Sequence, residues 1–281
     1  MINNYKLDSK VVDNLSNVRL RLLLYPFLLL VIISFVLFKE NVFTAEDYVN
    51  NQKDLFFYLN SKLSVLPNLQ FNLTQLGDVL ILFPFLTVFI IYAPKVWGTL
   101  ITSSIITLIV CFFLKEMFAV PRPAGMFDTK SFVIIGKTLS GNTSLPSGHS
   151  VTTFTILTIL LYAFMPKGFK AKTIWSFMIL TLGAIIVFSR VGVGAHYPLD
   201  VIIGSIIGYI CALVGIVIDN KVSWWAWIKN KKYYPIFILL LTIWVFVIVK
   251  EIFTDNLLIF YFSLLALITT LYLMIKTYVK K

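Results

Sequence analysis

Histidine is almost missing from this chain: 281 residues hold two, His149 and His196. Charge is scarce as well, at 13% of residues against 59% hydrophobic, and mean hydropathy is +0.89. That balance excludes a water-soluble globular domain of this length and places the chain in a bilayer. Cysteine is limited to Cys111 and Cys211, both within long apolar runs. Such thiols act as small hydrophobes, and a disulfide between them carries little weight. No low-complexity tract, internal repeat or long linker divides the sequence, so one membrane domain over 1–281 is expected. No small-residue cleavage pattern follows Phe38, and the first apolar run therefore reads as a retained helix.

What the chain has in quantity is apolar runs. A spanning helix needs roughly 20 predominantly apolar residues. Eight stretches meet or approach that length: 22–38, 79–93, 96–114, 151–165, 173–189, 199–218, 234–249 and 256–275. The second and fourth are short. Backbone in lipid must satisfy its own hydrogen bonds, and continuous apolar runs suit helices, not alternating barrel strands. The expected fold is an all-α polytopic membrane bundle: a six-helix core followed by two further C-terminal spans.

Acidic residues number 13 against 24 Lys and Arg, for a net charge of +11. With the N-terminus inside, eight spans leave 15 Lys and Arg on the inner side and 9 outside; Asp and Glu divide 3 and 10. The inner set includes Arg19, Arg21, Lys167, Lys170, Lys172, Lys229, Lys231, Lys232, Lys280 and Lys281. This asymmetry orients the protein with both termini in the cytoplasm, and it accounts for the net charge without any nucleic acid partner. Trp224, Trp225 and Trp227, beside Lys229, read as an inner interfacial belt.

The same threading gathers three polar clusters on the outer side. Lys115 to Pro123 closes the third run, Pro146 to His149 precedes the fourth, and Ser189-Arg190 with His196 to Asp200 joins the fifth and sixth. Each has an ordinary explanation. Lys115 can snorkel from a helix end, Ser147-Gly148 is a common turn pair, and Asp200 suits a helix N-terminus. Their coincidence in order, spacing and sidedness argues for more.

Phosphate chemistry wants these residue types. Lys115, Arg122 and Arg190 can supply charge-assisted hydrogen bonds to phosphate oxygens. The amides of Ser147 and Gly148 lie where a helix begins, a natural anion site, and the Ser147 hydroxyl adds a donor. His196 is the candidate nucleophile. Asp200, about one helical turn later, can fix its tautomer and raise its basicity. His149 then serves as general acid toward the departing oxygen and afterwards activates water.

The segments KEMFAVPRP (115–123), PSGH (146–149) and SRVGVGAHYPLD (189–200) together resemble the type 2 phosphatidic acid phosphatase superfamily, with no departure at the functional positions. The resemblance covers roughly 77–218 and rests on all three segments in order. It implies hydrolysis of a phosphoester or diphosphate through a phosphohistidine, with no metal or cofactor. A phosphorylated membrane lipid is the implied substrate, and a bacterial inner membrane, with the site periplasmic or extracellular, is the expected location. Undecaprenyl diphosphate and phosphatidylglycerophosphate lead the candidates, followed by lipid A phosphate. A phosphotransferase of the same superfamily and a non-hydrolytic lipid transporter or binding protein are the rival readings; oligomeric state is left open.

Four lesser expectations concern the surroundings. Gly204, Gly208 and Ala212 should allow close packing against a neighbouring helix. Residues 39–76 suit a short interfacial helix. Phe132 to Ile135 either dips into the leaflet or caps the bundle. Asn72 and Asn142 stand in glycosylation patterns that carry almost no weight without a known host.

Overall fold

The computed structural model describes residues 2–279, and every regular element among them is helical. Lys280 and Lys281 lie outside the described residues. Helix α1 (Ile2–Ser16) docks against one end of the bundle, where Val11 and Leu15 are fully buried and Asn14 Nδ2 donates to the carbonyls of Ala163 and Met165 at 2.9 and 3.2 Å. A 3-10 turn then leads into α2 (Leu24–Lys39), in which only Pro26 is buried. Its Phe27, Leu28, Val31 and Phe35 face outward, as lipid-facing side chains do.

Three helices occupy residues 39–76, where one was expected: α3 (Ala45–Asn51), α4 (Lys53–Leu63) and α5 (Pro67–Gln75). A reciprocal capping box starts α3, with Thr44 Oγ1 accepting from Asp47 N at 3.1 Å and Asp47 Oδ2 accepting from Thr44 N at 2.9 Å. The chain then bends by 83° and continues as α6 (Val79–Leu82), a 3-10 turn at Phe83–Leu86, and α7 (Phe89–Tyr92). The uniform span expected over 79–93 is therefore broken. Asp78 caps the new start by accepting from Leu80 N at 2.8 Å, and Pro84 removes a donor from the middle of the run.

The remaining runs are regular. They form α8 (Pro94–Phe118), the short α9 (Pro123–Met126), α10 (Gly148–Ala163), α11 (Phe169–Gly192), α12 (Pro198–Lys221), α13 (Tyr234–Asp255) and α14 (Leu258–Val279). By length and composition six helices among the described residues can cross a membrane, or seven if the bent pair α5–α6 counts as one span; α10, at 16 residues, is shorter. The protein is an integral-membrane helical bundle. Its two departures from uniform spans fall on the second and fourth runs, the two shortest in the sequence.

Close approach of α10 and α12 bears out the small-residue expectation. A Cβ on Gly204 would stand 2.9 Å from Ser147 O, Thr155 Oγ1 donates to Gly208 O at 3.1 Å, and Ala212 is fully buried. At the far end of the bundle Lys95 pairs with Asp219 at 2.7 Å and Lys229 with Asp8 at 2.9 Å. Trp225 does more than mark an interface: its indole N–H donates to Thr102 Oγ1 at 2.8 Å and its Cβ crowds Gly98. Cys111 and Cys211 are free thiols.

The last two helices brace the broken span. Trp244 Nε1 donates to Leu80 O at 2.9 Å, Ser263 Oγ to Ile81 O at 3.2 Å, and Thr87 Oγ1 to Thr270 Oγ1 at 2.9 Å. Asn72 accepts from Ile259 N at 2.9 Å, so its side chain ties α5 to α14.

Candidate active site

Helix ends build the site. Lys115 projects from the last turn of α8, Arg122 from the stretch before α9, and Ser147 to His149 from the first turn of α10. Arg190 comes from the last turn of α11, and His196 and Asp200 from the entry to α12. Each helix ends here because a proline, a glycine or a capping side chain breaks the apolar run, and the polar residues cluster at those breaks.

His196 lies in the short connection between α11 and α12, only 1% exposed. Its Nδ1 is 3.4 Å from Asp200 Oδ2 and 3.4 Å from Ser144 Oγ, and its Nε2 is 3.3 Å from Arg122 Nη1. These neighbours assign the tautomer. A guanidinium only donates and a carboxylate only accepts, so Nδ1 carries the proton and Nε2 presents its lone pair to Arg122. Burial, followed by the charges of Arg122, Arg190 and Lys115, holds the His196 imidazole well below its ordinary value near 6.5. The ring is therefore neutral and available as a nucleophile at neutral pH.

Asp200 is fully buried and has four polar neighbours. Tyr48 donates to Oδ1 at 2.9 Å; Ser144 and the backbone N–H of Tyr197 donate to Oδ2 at 2.6 and 3.0 Å, beside the His196 ring. The Asp200 carbonyl accepts from Ser147 N at 3.1 Å, which joins the second motif to the third, so the Ser147 amide expected to face an anion is instead engaged within the protein.

The cations surround the imidazole. Arg122 also donates to Ala195 O and Thr143 Oγ1, both at 3.3 Å. Arg190 is 6% exposed and donates to Thr74 Oγ1 at 2.6 Å, while its Nε has no partner among the protein groups. An unpaired buried guanidinium N–H is costly to leave unmet and is available to an anion. The Lys115 ammonium lies 3.6 Å from where a Cβ on Gly148 would stand, so it sits directly over the N-terminus of α10. His149 is in electrostatic reach of Arg190, His196, Arg122 and Lys115, and its side chain packs on Gly77, where an added Cβ would stand 2.7 Å from His149 Cβ and 2.9 Å from Cδ2 of the ring. Ser147 is buried and its Oγ accepts from Ser150 N at 3.4 Å, so that oxygen caps α10.

All eight residues singled out in the sequence thus lie at one end of the bundle. Five that were not also contribute: Tyr48, Thr74, Gly77, Thr143 and Ser144. The expected interfacial segment supplies the first two, and no motif marked them. Residues 132–135 cap the bundle. Asn60 exchanges hydrogen bonds with both backbone groups of Val133, Phe132 packs edge-on against Phe56, and Ile135 N donates to Val193 O at 3.2 Å. A cavity of about 440 Å³ runs from Lys115 and Gly148 along Cys111, Leu108, Thr152 and Val79. Lys115 and Gly148 line one end, Ser104, Thr107 and Thr155 complete the lining, and most of its surface is apolar.

A buried imidazole–carboxylate couple beneath three cations, at the end of a membrane bundle, defines a phosphoric ester hydrolase of the lipid-phosphate kind. The family model of the PAP2 superfamily matches residues 96–224 and so covers all three motifs. Over 181 residues it is 27% identical to a protein named undecaprenyl-diphosphatase from Sulfolobus acidocaldarius, covering 63% of this chain and 82% of that one. It is also similar to the crystal structure of Aquifex aeolicus LpxE, with a TM-score of 0.49 and 27% identity over 59% of this chain and 94% of that one.

Proposed function

We propose that the protein hydrolyses a membrane lipid phosphate or isoprenoid diphosphate through a phosphohistidine on His196, without a metal, at the outer face of its membrane. The observation that carries the reading is the buried His196–Asp200 couple among Arg122, Arg190 and Lys115; Lys115 also lines, with Gly148, one end of a cavity whose surface is otherwise largely apolar. An amphiphile fits it with its phosphate on the cations and its chain among the helices.

The bound phosphate is held by Lys115, Arg122, Arg190 and the amides that open α10, with Ser147 shaping that turn. Nε2 of His196 attacks phosphorus as the bond to the leaving oxygen breaks, and His149, which takes up a proton once the bound phosphate's negative charge offsets the surrounding cations, gives that oxygen its proton. In the second half, His149 takes a proton from water. The water oxygen attacks phosphorus, the phosphorus–nitrogen bond breaks, and inorganic phosphate leaves with His196 neutral again. The cations offset the negative charge gathering on the equatorial oxygens, and Asp200 stabilises the charge on the imidazole.

The named relative favours a polyprenyl diphosphate among the candidates; phosphatidylglycerophosphate and lipid A phosphate follow. Purified protein given a panel of these lipids should release phosphate in the presence of EDTA, and His196→Ala and His149→Ala should each lose about 10³-fold in kcat. Transport of a lipid without phosphate release would sink the hydrolase reading. A requirement for an acceptor lipid would make the protein a phosphotransferase using the same intermediate.

A further inference from the structure

Outside the three motifs, one side chain reaches the reacting couple from the far end of the sequence. Tyr48, on α3, is 5% exposed and donates its hydroxyl to Asp200 Oδ1 at 2.9 Å. Burial and the neighbouring carboxylate hold its phenol well above the ordinary tyrosine value, so Tyr48 stays a donor throughout the neutral range and does not shuttle a proton. Its helix is fixed independently. Gln52 donates its amide N–H to Tyr48 O at 3.1 Å and accepts from Leu199 N at 3.0 Å, one residue before Asp200. The capping box at Thr44 and Asp47 fixes the other end of α3.

Consider what Asp200 would do without that bond. Its Oδ2 serves Ser144, Tyr197 N and the imidazole together, and the His196 contact is the longest of the three at 3.4 Å. Oδ1 has Tyr48 as its hydroxyl partner. With Tyr48 gone, the carboxylate would be free to rotate and satisfy Oδ1 from the donors that now hold Oδ2. The oxygen facing Nδ1 would then be displaced, and the imidazole would lose the neighbour that selects its tautomer.

We infer that Tyr48 is a positioning residue for the proposed reaction: α3 lays its hydroxyl on Asp200 so that the other carboxylate oxygen keeps His196 in the Nδ1–H form. The inference rests on the hydrolase reading and adds to it a residue that touches neither the imidazole nor the phosphate cations. It also gives the outer segment α3–α5 a task within the reaction.

The test uses full-length protein in detergent or nanodiscs, with a phosphorylated lipid that the wild type hydrolyses. Tyr48→Phe removes one oxygen and keeps the ring. Its kcat should fall about 10- to 100-fold with KM within about twofold, because a hydrogen bond to a charged group is lost while the phosphate and chain contacts stay. The chain has only two histidines, so ¹⁵N-histidine labelling gives a spectrum of two imidazoles. The wild type should show His196 as the Nδ1–H tautomer; Tyr48→Phe should show a mixture. If Tyr48→Phe fails to fold by thermal melting, Tyr48→Gln, which keeps an N–H donor, takes its place and should retain the Nδ1–H signal. Wild-type kcat in Tyr48→Phe, a fall in kcat with unchanged imidazole shifts, or loss of the Nδ1–H signal in a folded Tyr48→Gln protein would overturn the inference. A wild type with no phosphatase activity would instead remove the hydrolase reading on which it rests.

Discussion

At the scale of single residues, a nucleophilic imidazole must keep a lone pair in a pocket built to attract phosphate, and the two demands reinforce each other. The cations that would hold the anion also disfavour a proton on His196, as does its burial. The sign follows directly. A basic group whose value is depressed stays in its neutral form until the pH falls through the lowered value, so the proposed nucleophile persists into mildly acidic solution. The acid limb of kcat/KM, which reports the free enzyme, should therefore lie clearly below 6.5 once the substrate's own titration has been subtracted. Replacing Arg122 with Gln removes the largest charge acting on the ring and should raise that limb toward 6.5 while weakening substrate binding. An acid limb at or above 6.5 in the wild type would contradict this electrostatic account. The residues that make it were legible in the sequence because the motifs put them at helix ends. Their distant supports were not: Tyr48 lies 152 positions from Asp200, and Thr74 lies 116 from Arg190.

At the scale of elements, the bend between α5 and α6 matters more than its short length suggests. It carries Gly77 to the ring of His149, with an added Cβ meeting His149 Cβ at 2.7 Å and Cδ2 at 2.9 Å. A methyl group there has to displace the imidazole or the bend. Gly77→Ala should lower kcat/KM about ten- to a hundredfold, in line with an overpacking cost of about 1–3 kcal/mol, and should leave membrane insertion intact. Activity equal to the wild type would mean that this packing does not position His149. The sequence showed the apolar run at 79–93 but not the break, because Gly77, Asp78 and Pro84 had to be read together as turn, cap and interruption. It also held a missed signal in the outer segment. Tyr48, Gln52, Phe56 and Asn60 repeat every four positions, all four are buried, and three of them hydrogen-bond to the site or its cap. Helical spacing of mixed polar and aromatic residues marks a face that packs on protein, which an interfacial helix would not show.

At the scale of the whole molecule, α12 links two charged centres of different kinds. Asp200 opens it beneath the cationic cluster and Asp219 closes it in a pair with Lys95. At 1.5 Å per residue the two lie about 28 Å apart, close to the thickness of a bilayer's hydrocarbon core. The C-terminal hairpin α13–α14 holds the broken span against this frame through Leu80, Ile81 and Thr87. The proposed orientation turns the imidazole cluster outward: Lys167, Lys170, Lys172, Lys229, Lys231 and Lys232 all belong to connections or helix ends on the Asp219 side. Vanadate, an anion that mimics phosphate in a five-coordinate transition state and does not cross the bilayer quickly, offers a direct check. Added outside sealed right-side-out vesicles, it should block hydrolysis at once; added to sealed inside-out vesicles, it should act only after permeabilisation. The opposite pattern would place the imidazole cluster on the cytoplasmic side, and the six lysines would then face outward against the rule that orients the bundle.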